Sequence, residues 1–523
     1  MSVVPPAPAT PPTGVPAVEP LSTATATGAV AAARQRSGGR PRTAGWRRVI
    51  GTEEQTRQLP VVERLRGTPF AAPHRMAAPA DASDARASLD LLVRLAVLLL
   101  RSGAGMAEAE SSVVAAAIAL GLDDERLDVD ITWSSVTLGY DPVDGPPVAR
   151  LQVVRTSGTE FARLSAAHAL VLDLVDGRVD RADLSLRMSQ VERAARPYRR
   201  SIVRVAWGLL AVAVAARLGG GPLALVAAFG MAVAVDAGAR AMSRAGAASF
   251  FVVAAGAFVA GALSSGVTLV TEALTDVVPP GLLGAAPSAA LVVASGIVVL
   301  LPGGALVAAV EDALDGFPVT AAARLVTVLM TTAAIAGGVV LSIELTRRAG
   351  LPGVDPAAAG AAVGGALTPT WVALVATALG AGAAAVAYRT PPRLLVVTAV
   401  AAVLGTGVQV LVSDSEGARA FGTLAAAAVV GAVGRVAALR RRATPLAVVV
   451  PGTIMLLPGL TFYTALVELT GGTVVTGLVL LGEAVAIALG IGAGVALGDA
   501  VAAPVERGLD QVGRRRRQAA LRS

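Results

Sequence analysis

The sequence predicts an α-helical polytopic membrane protein, with about ten transmembrane helices as two inverted five-helix repeats, preceded by a cytoplasmic α+β domain. Three observations carry that prediction. The 523 residues are 54% hydrophobic and 15% charged, with a mean hydropathy of +0.67, too apolar for a soluble multidomain chain. Beyond Tyr198-Arg199-Arg200, apolar segments of span length follow one another almost without pause. Finally, Val299 to Gly303 reads VLLPG and Met455 to Gly459 reads MLLPG, which sets Pro302 against Pro458 at an offset of 156 residues. In the same register Asp312 falls on Glu468, Gly316 on Gly472, Thr320 on Thr476, Gly338 on Gly494 and Leu341 on Leu497. A shared register of this kind marks two related halves.

Composition also removes several chemistries. With no cysteine there is no disulfide, thiol nucleophile or thiolate metal site, and His74 and His168 are too few for a histidine metal cluster. Neither a P-loop nor a dinucleotide fingerprint is present, so no cofactor and no direct ATP drive are expected. All 44 basic residues are arginine and the net charge is +7. They cluster beside apolar spans and form no aromatic-interleaved face, which points to membrane orientation and away from nucleic acid.

Residues 1–82, rich in Pro, Ala, Thr and Arg without helical or strand periodicity, read as a disordered N-terminal tail. Residues 83–197 read as a compact α+β domain in the order ααββαα. Helices are expected around Leu89 to Arg101 and Met106 to Leu120, β runs at Leu127 to Gly139 and Val148 to Thr156, then helices near Glu160 to Val175 and Arg181 to Ala194. Leu91 to Leu100 mimics a span, but Arg94 and Arg101 bracket too few residues for a crossing, so it belongs to this domain's core.

Ten spans follow, near 202–218, 222–239, 247–265, 289–310, 319–345, 366–387, 393–412, 419–437, 446–467 and 473–498. They divide into halves at 198–345 and 366–503, with an Arg-rich cytoplasmic tail at 504–523. In the long loop Gly266 to Ser288, the stretch Val267 to Val278 reads as an interfacial helix. With a cytoplasmic N-terminus, the inner loops carry Arg240, Arg244, Arg389, Arg393, Arg435 and Arg440 to Arg442. Outside are only Arg217, Arg347, Arg348 and Arg419, which favours an even span number with both termini inside. Five spans per half then turns the second half over.

Proline removes a backbone donor and glycine weakens a helix, so Pro302-Gly303, Pro451-Gly452 and Pro458-Gly459 are expected to free polar backbone groups at membrane depth. Opposed broken helices meeting near the midplane are where a substrate binds. A packing kink is the plainer reading of each.

The RSGAGMAEAESSVVAAAIALGL region, the strands after it, VVLLPG, and the later VVVPGTIMLLPGLTFYTAL together resemble the bacterial threonine/serine exporter family, over roughly Ser83 to Ala503. The resemblance implies export of threonine and serine across the plasma membrane, driven by the proton gradient. Relatives that divide this layout over two chains are linked to dicarboxylate export, so small dicarboxylates such as succinate stay open as substrates. The expected partners are threonine and serine, protons and the lipid bilayer, with assembly into a homo-oligomer admitted.

Around the breaks, Thr453, Thr461 and Tyr463 supply hydroxyls able to read a zwitterion with a hydroxylated side chain, or else bond back to their own helix. Glu483, a lone carboxylate midway along the last span, is the candidate for proton coupling; a hydrogen bond to a neighbouring helix is the bland alternative. Asp236 and Arg240 have the spacing of an i,i+4 ion pair, with a gate as the second reading. Glu311 and Asp312 are expected at a solvated cytoplasmic end, where they could also gate. Glu108, Glu110, Ser111 and His168 supply hydrolase residue types without a nucleophile elbow, so an enzyme or sensor acting through the soluble domain ranks last.

Overall fold

The computed structural model describes residues 82–520 apart from 144, 156–157, 276–288, 352–367 and 414–417, together with residues 65, 68, 70 and 73–76. The chain opens with α1 (Ala82–Ser102), α2 (Met106–Ala119), β1 (Leu127–Ile131), β2 (Ser135–Tyr140), β3 (Val148–Val153), α3 (Phe161–Val175) and α4 (Arg181–Arg193). Helix α1 buries Ala85, Leu89, Leu92, Ala96 and Leu99, a stripe at three- and four-residue spacing. It stops at Gly103, whose φ of +102° admits no ordinary side chain, and where an added Cβ would stand 2.9 Å from the Gly158 carbonyl.

The sheet is antiparallel in the order β1-β2-β3, pairing Leu127 with Tyr140 and Tyr140 with Val148. Leu127, Ile131, Val136, Leu138, Tyr140 and Val148 form its buried face. The expected run Leu127 to Gly139 is therefore not one strand but a hairpin, and the order is ααβββαα. Its turn contains neither Gly nor Pro; it is held by Thr132, whose amide donates to the Ser135 carbonyl at 2.9 Å and whose hydroxyl lies 2.8 Å from Ser135 Oγ.

Within the stretch expected to be a disordered tail, the described residues are packed. Leu65 and Phe70 are each 1% exposed in the domain core, and the amides of His74 and Met76 donate to Val175 and Ala119. The remainder of that stretch lies outside the described residues.

The bundle begins with α5 (Arg200–Arg217), α6 (Pro222–Arg244) and α7 (Ser249–Thr275). Next come α8 (Ala289–Ile297), α9 (Gly303–Leu314), α10 (Pro318–Arg348), α11 (Thr370–Ala387), α12 (Leu395–Val412) and α13 (Arg419–Arg441). It closes with α14 (Leu446–Thr453), α15 (Gly459–Gly471) and α16 (Val474–Ala520). Among the described residues seven helices are long and apolar enough to cross a membrane, or nine if each of two bent pairs is one span. The expected first span corresponds to α5, which carries Arg200, Arg204 and Arg217. The segment Val267 to Val278 is no separate interfacial helix, since α7 runs unbroken to Thr275; residues 276–278 lie outside the described chain.

Side chains such as Val319, Trp371, Leu411, Phe421 and Val475 stand exposed around the bundle, an apolar surface suited to lipid. Inside it, glycine brings backbones together. A Cβ on Gly338 of α10 would collide with the Ala254 carbonyl of α7, and one on Gly494 of α16 with the Leu424 carbonyl of α13. Those glycines stand 156 residues apart, and close approach at small residues is how membrane helices gain packing energy.

Candidate functional site

Both LLPG elements break their helices, and they do so alike. A 3-10 turn at Val298–Leu300 or Ile454–Leu456 leads into an extended leucine, then proline, then a fresh helix beginning on glycine. Pro302 has φ −81° and ψ 44°, Pro458 φ −82° and ψ 49°. The bends are 57° and 43°. A Cβ on Gly303 would stand 2.7 Å from Leu457 Cδ1, and one on Gly459 would stand 3.3 Å from Leu301 Cδ1. In the register of 156 residues Leu457 matches Leu301 and Gly459 matches Gly303, so one contact is made twice with the roles exchanged, as across a two-fold axis.

Pro451-Gly452, by contrast, makes no break, since α14 runs through both. Proline at 451 leaves the Ala447 carbonyl without its helical donor, and Thr390 Oγ1, fully buried, donates to it at 3.1 Å. Gly452 lets Val430 of α13 approach. Thr390→Val, isosteric but without the hydroxyl, is expected to lower stability by about 1–3 kcal/mol. Thermal unfolding of the solubilised protein would measure it, with Thr390→Ser close to wild type.

Beside the second break lies a cavity of about 280 Å³ lined by Pro458, Gly459, Thr461, Arg217, Gln409, Thr423 and Arg419 among apolar neighbours. Arg217, at the end of α5, donates to the Met455 carbonyl in the broken segment, and at 2.7 Å to Gln409 Oε1. Gln409 Nε2 donates to Thr423 Oγ1 at 3.0 Å, which donates to the Arg419 carbonyl at 2.9 Å. One polar chain thus runs from α5 through α12 to α13 and fixes the unwound backbone. The second guanidinium, on Arg419, has a looser partner, Glu483 Oε1 of α16 at 3.7 Å, a separation too long for a good hydrogen bond.

Sequence reasoning missed Arg217, Gln409, Thr423 and Arg419, assigning both arginines to outer loops. Gln409, the one glutamine between residues 198 and 503, was a readable signal of a polar site in a span. Glu483 is where expected on the last helix but is not isolated, because Arg419 faces it. Thr461 lines the cavity. Thr453 does not; its hydroxyl donates to Val449 and Val450 of its own helix, at 2.9 and 3.3 Å. Tyr463, 1% exposed, belongs to a different cavity of about 420 Å³ with Ser265, Ser342 and Thr346. Asp236 and Arg240 form the expected ion pair.

A third cavity, about 500 Å³, separates the α+β domain from the bundle and is lined by Glu108, His168, Glu311, Asp312, Asp315, Arg435, Arg442 and Asp499. Glu311 is half-buried, and Asp312 is not at a solvated end at all: it is 1% exposed, with Oδ2 2.9 Å from Arg324 Nε and Oδ1 accepting from the Met106 amide at 3.1 Å. Around it Arg389 binds Glu160 at 3.0 Å, Arg442 binds Asp173 at 2.8 Å, and Thr444 donates to Glu108 at 2.9 Å. Glu108 also lies 3.2 Å from His168 Nδ1. Ser111 spends its hydroxyl on the Glu108 carbonyl, so these residues form no Ser/His/acid relay.

A multi-pass membrane protein whose two interrupted helices meet over a polar cavity has the architecture of a membrane transporter. Residues 90–346 and 365–501 match the family model described as "Putative threonine/serine exporter". The chain belongs to the threonine/serine exporter family, a family of transporters and not of enzymes. It is similar to a Mycobacterium tuberculosis protein described as "Probable threonine/serine exporter", 33% identical over 436 residues, covering 82% of this chain and 79% of the relative. A "Threonine/serine exporter" of Corynebacterium glutamicum is 27% identical over 430 residues, 82% of this chain and 85% of the relative. No solved structure matches the chain.

Proposed function

We propose that this chain exports threonine and serine across the plasma membrane by proton antiport, through two inverted five-span halves, with the α+β domain (83–197) and both termini in the cytoplasm. The carrying observation is the doubled Leu-Gly contact between the breaks, beside a cavity with cationic, amide and hydroxyl groups. Counting α5 as a span and each bent pair as one makes the halves 198–345 and 366–503, and an odd number of crossings inverts the second. Arg389, Arg435 and Arg442 gather at the end where the domain docks, in keeping with a cytoplasmic domain. The relatives' names supply the substrates.

Glu483 carries the proton in this reading, as the carboxylate that, among the described residues, faces the guanidinium of Arg419. The test is efflux from threonine-loaded liposomes under an imposed pH gradient, for the native chain and Glu483→Gln. Gradient-driven efflux is expected to fall in the variant to the level of protein-free liposomes. Unchanged efflux would remove Glu483 as the coupling group, and absence of threonine flux from the native protein would remove the substrate.

Two guanidinium groups in one cavity also suit a small dicarboxylate, the second reading. Competition between threonine and succinate in the same liposomes separates the two.

A further inference from the structure

Arg217 and Arg419 line the same cavity, but their duties differ. Both terminal nitrogens of Arg217 are engaged, one by the Met455 carbonyl and one by Gln409, so removing them would release the broken helix. Among the described residues Arg419 is held through its backbone carbonyl, by Thr423, and through a 3.7 Å approach to Glu483. Neither side chain of that pair is fully buried, at 36% and 27% exposed, and of the two Arg419 is the one that lines the cavity. Ile487, one turn from Glu483 on the same face of α16, lines the cavity beside Arg419.

We infer that a zwitterionic amino acid inserts into the Arg419–Glu483 pair, its carboxylate taking the guanidinium of Arg419 and its ammonium taking the carboxylate of Glu483. The inference rests on the amino-acid reading above and specifies it. The exchange conserves charge: one ion pair is replaced by two, with no uncompensated charge left at membrane depth. A dicarboxylate would set an anion against Glu483, and a diamine a cation against Arg419, so the pair selects for zwitterions by repulsion as well as attraction.

Coupling follows from the same geometry. A Glu483 carboxylate that holds a proton cannot hold an ammonium, so proton and substrate exclude one another at one group, which is what antiport requires. Among the described residues the other charged groups on the packed helices sit elsewhere. Glu468 of α15 accepts from Thr473 at the turn into α16, while Glu311 and Asp312 of α9 and Asp499 of α16 lie at the domain end with Arg324 and Arg435. Arg217 is tied to Met455 and Gln409.

The experiment measures binding to the full-length purified protein of threonine, threonine amide, N-acetylthreonine and succinate across pH. Threonine is expected to bind at least about tenfold more tightly than either singly blocked analogue, the scale of one lost charge-assisted contact. Its affinity should fall as the pH is lowered, a slope kept in Glu483→Asp and absent in Glu483→Gln. N-acetylthreonine binding as well as threonine, or an undiminished slope in Glu483→Gln, overturns the inference while the exporter reading stands. If the native protein binds succinate and not threonine, the amino-acid reading falls with it. The analogue series uses only the native chain, so a poorly folding variant does not protect the idea.

Discussion

Arg324→Ala is expected to lower stability by about 3–5 kcal/mol, because it strands a buried carboxylate. The side chains of Asp312 and Arg324 are 1% and 7% exposed, so losing the guanidinium leaves Asp312 buried without its counter-ion. Asp312 has a second duty. Helix α2 starts after Gly105, which has no side chain to cap it, and the membrane helix α9 supplies the missing acceptor when Asp312 Oδ1 takes the Met106 amide. Arg324 in turn reaches the Ala104 carbonyl and covers the Trp133 ring at 4.8 Å. The pair therefore joins the first broken span to the start of α2 and to the β1–β2 turn. Thermal unfolding of the solubilised protein, read together with protease cleavage between domain and bundle, checks the size of the effect. The double variant Asp312→Asn/Arg324→Met removes both charges and should recover most of the loss. Arg348→Ala, which breaks an exposed pair with Glu344, sets the scale of a solvated surface contact. A loss at Arg324 no larger than at Arg348 would mean that the pair is solvated and joins nothing.

Asp312 also shows where reading the chain by itself stops. Hydropathy is a local sum, so spans such as those ending at Arg244, Ala387 and Arg441 were legible within a few residues, as were the α+β segment and the two LLPG breaks. Partner choice is not local. Pro451 looks as disruptive as Pro458 on paper, yet it stays within a helix because Thr390, from a different helix connection, satisfies the carbonyl it frees. Arg217 and Arg419 sit at helix ends, where hydropathy treats any arginine as a loop residue; only the fold turns them inward onto the broken segment and Glu483. Tyr463 and Thr453 erred the other way. Each lies within six residues of Pro458, but helical geometry points one into another cavity and the other back at its own carbonyls. Nearness in sequence to a break identifies the neighbourhood of the site, and the helix phase decides which residues face it.

The second large effect concerns the breaks themselves. A cysteine pair at Gly303→Cys/Leu457→Cys is expected to abolish threonine efflux when oxidised and to restore it on reduction. The chain has no cysteine of its own, so any cross-link is the engineered one. A Cβ on Gly303 would lie 3.5 Å from Leu457 Cγ, near enough for thiols at the two positions to meet. If the halves exchange roles during transport, the two Leu-Gly contacts exchange tightness as well. They are unequal in this structure, closer at Gly303–Leu457 than at Gly459–Leu301. The companion pair Leu301→Cys/Gly459→Cys should therefore cross-link more slowly here and faster under the opposite gradient, while both pairs block flux once closed. The reduced double variants and the single cysteine variants set the baseline, so the loss added by oxidation separates the covalent tie from damage at Gly303. Efflux that continues at the native rate through fully oxidised protein would place the moving contact elsewhere and leave the crossing of the two broken helices a fixed structural joint.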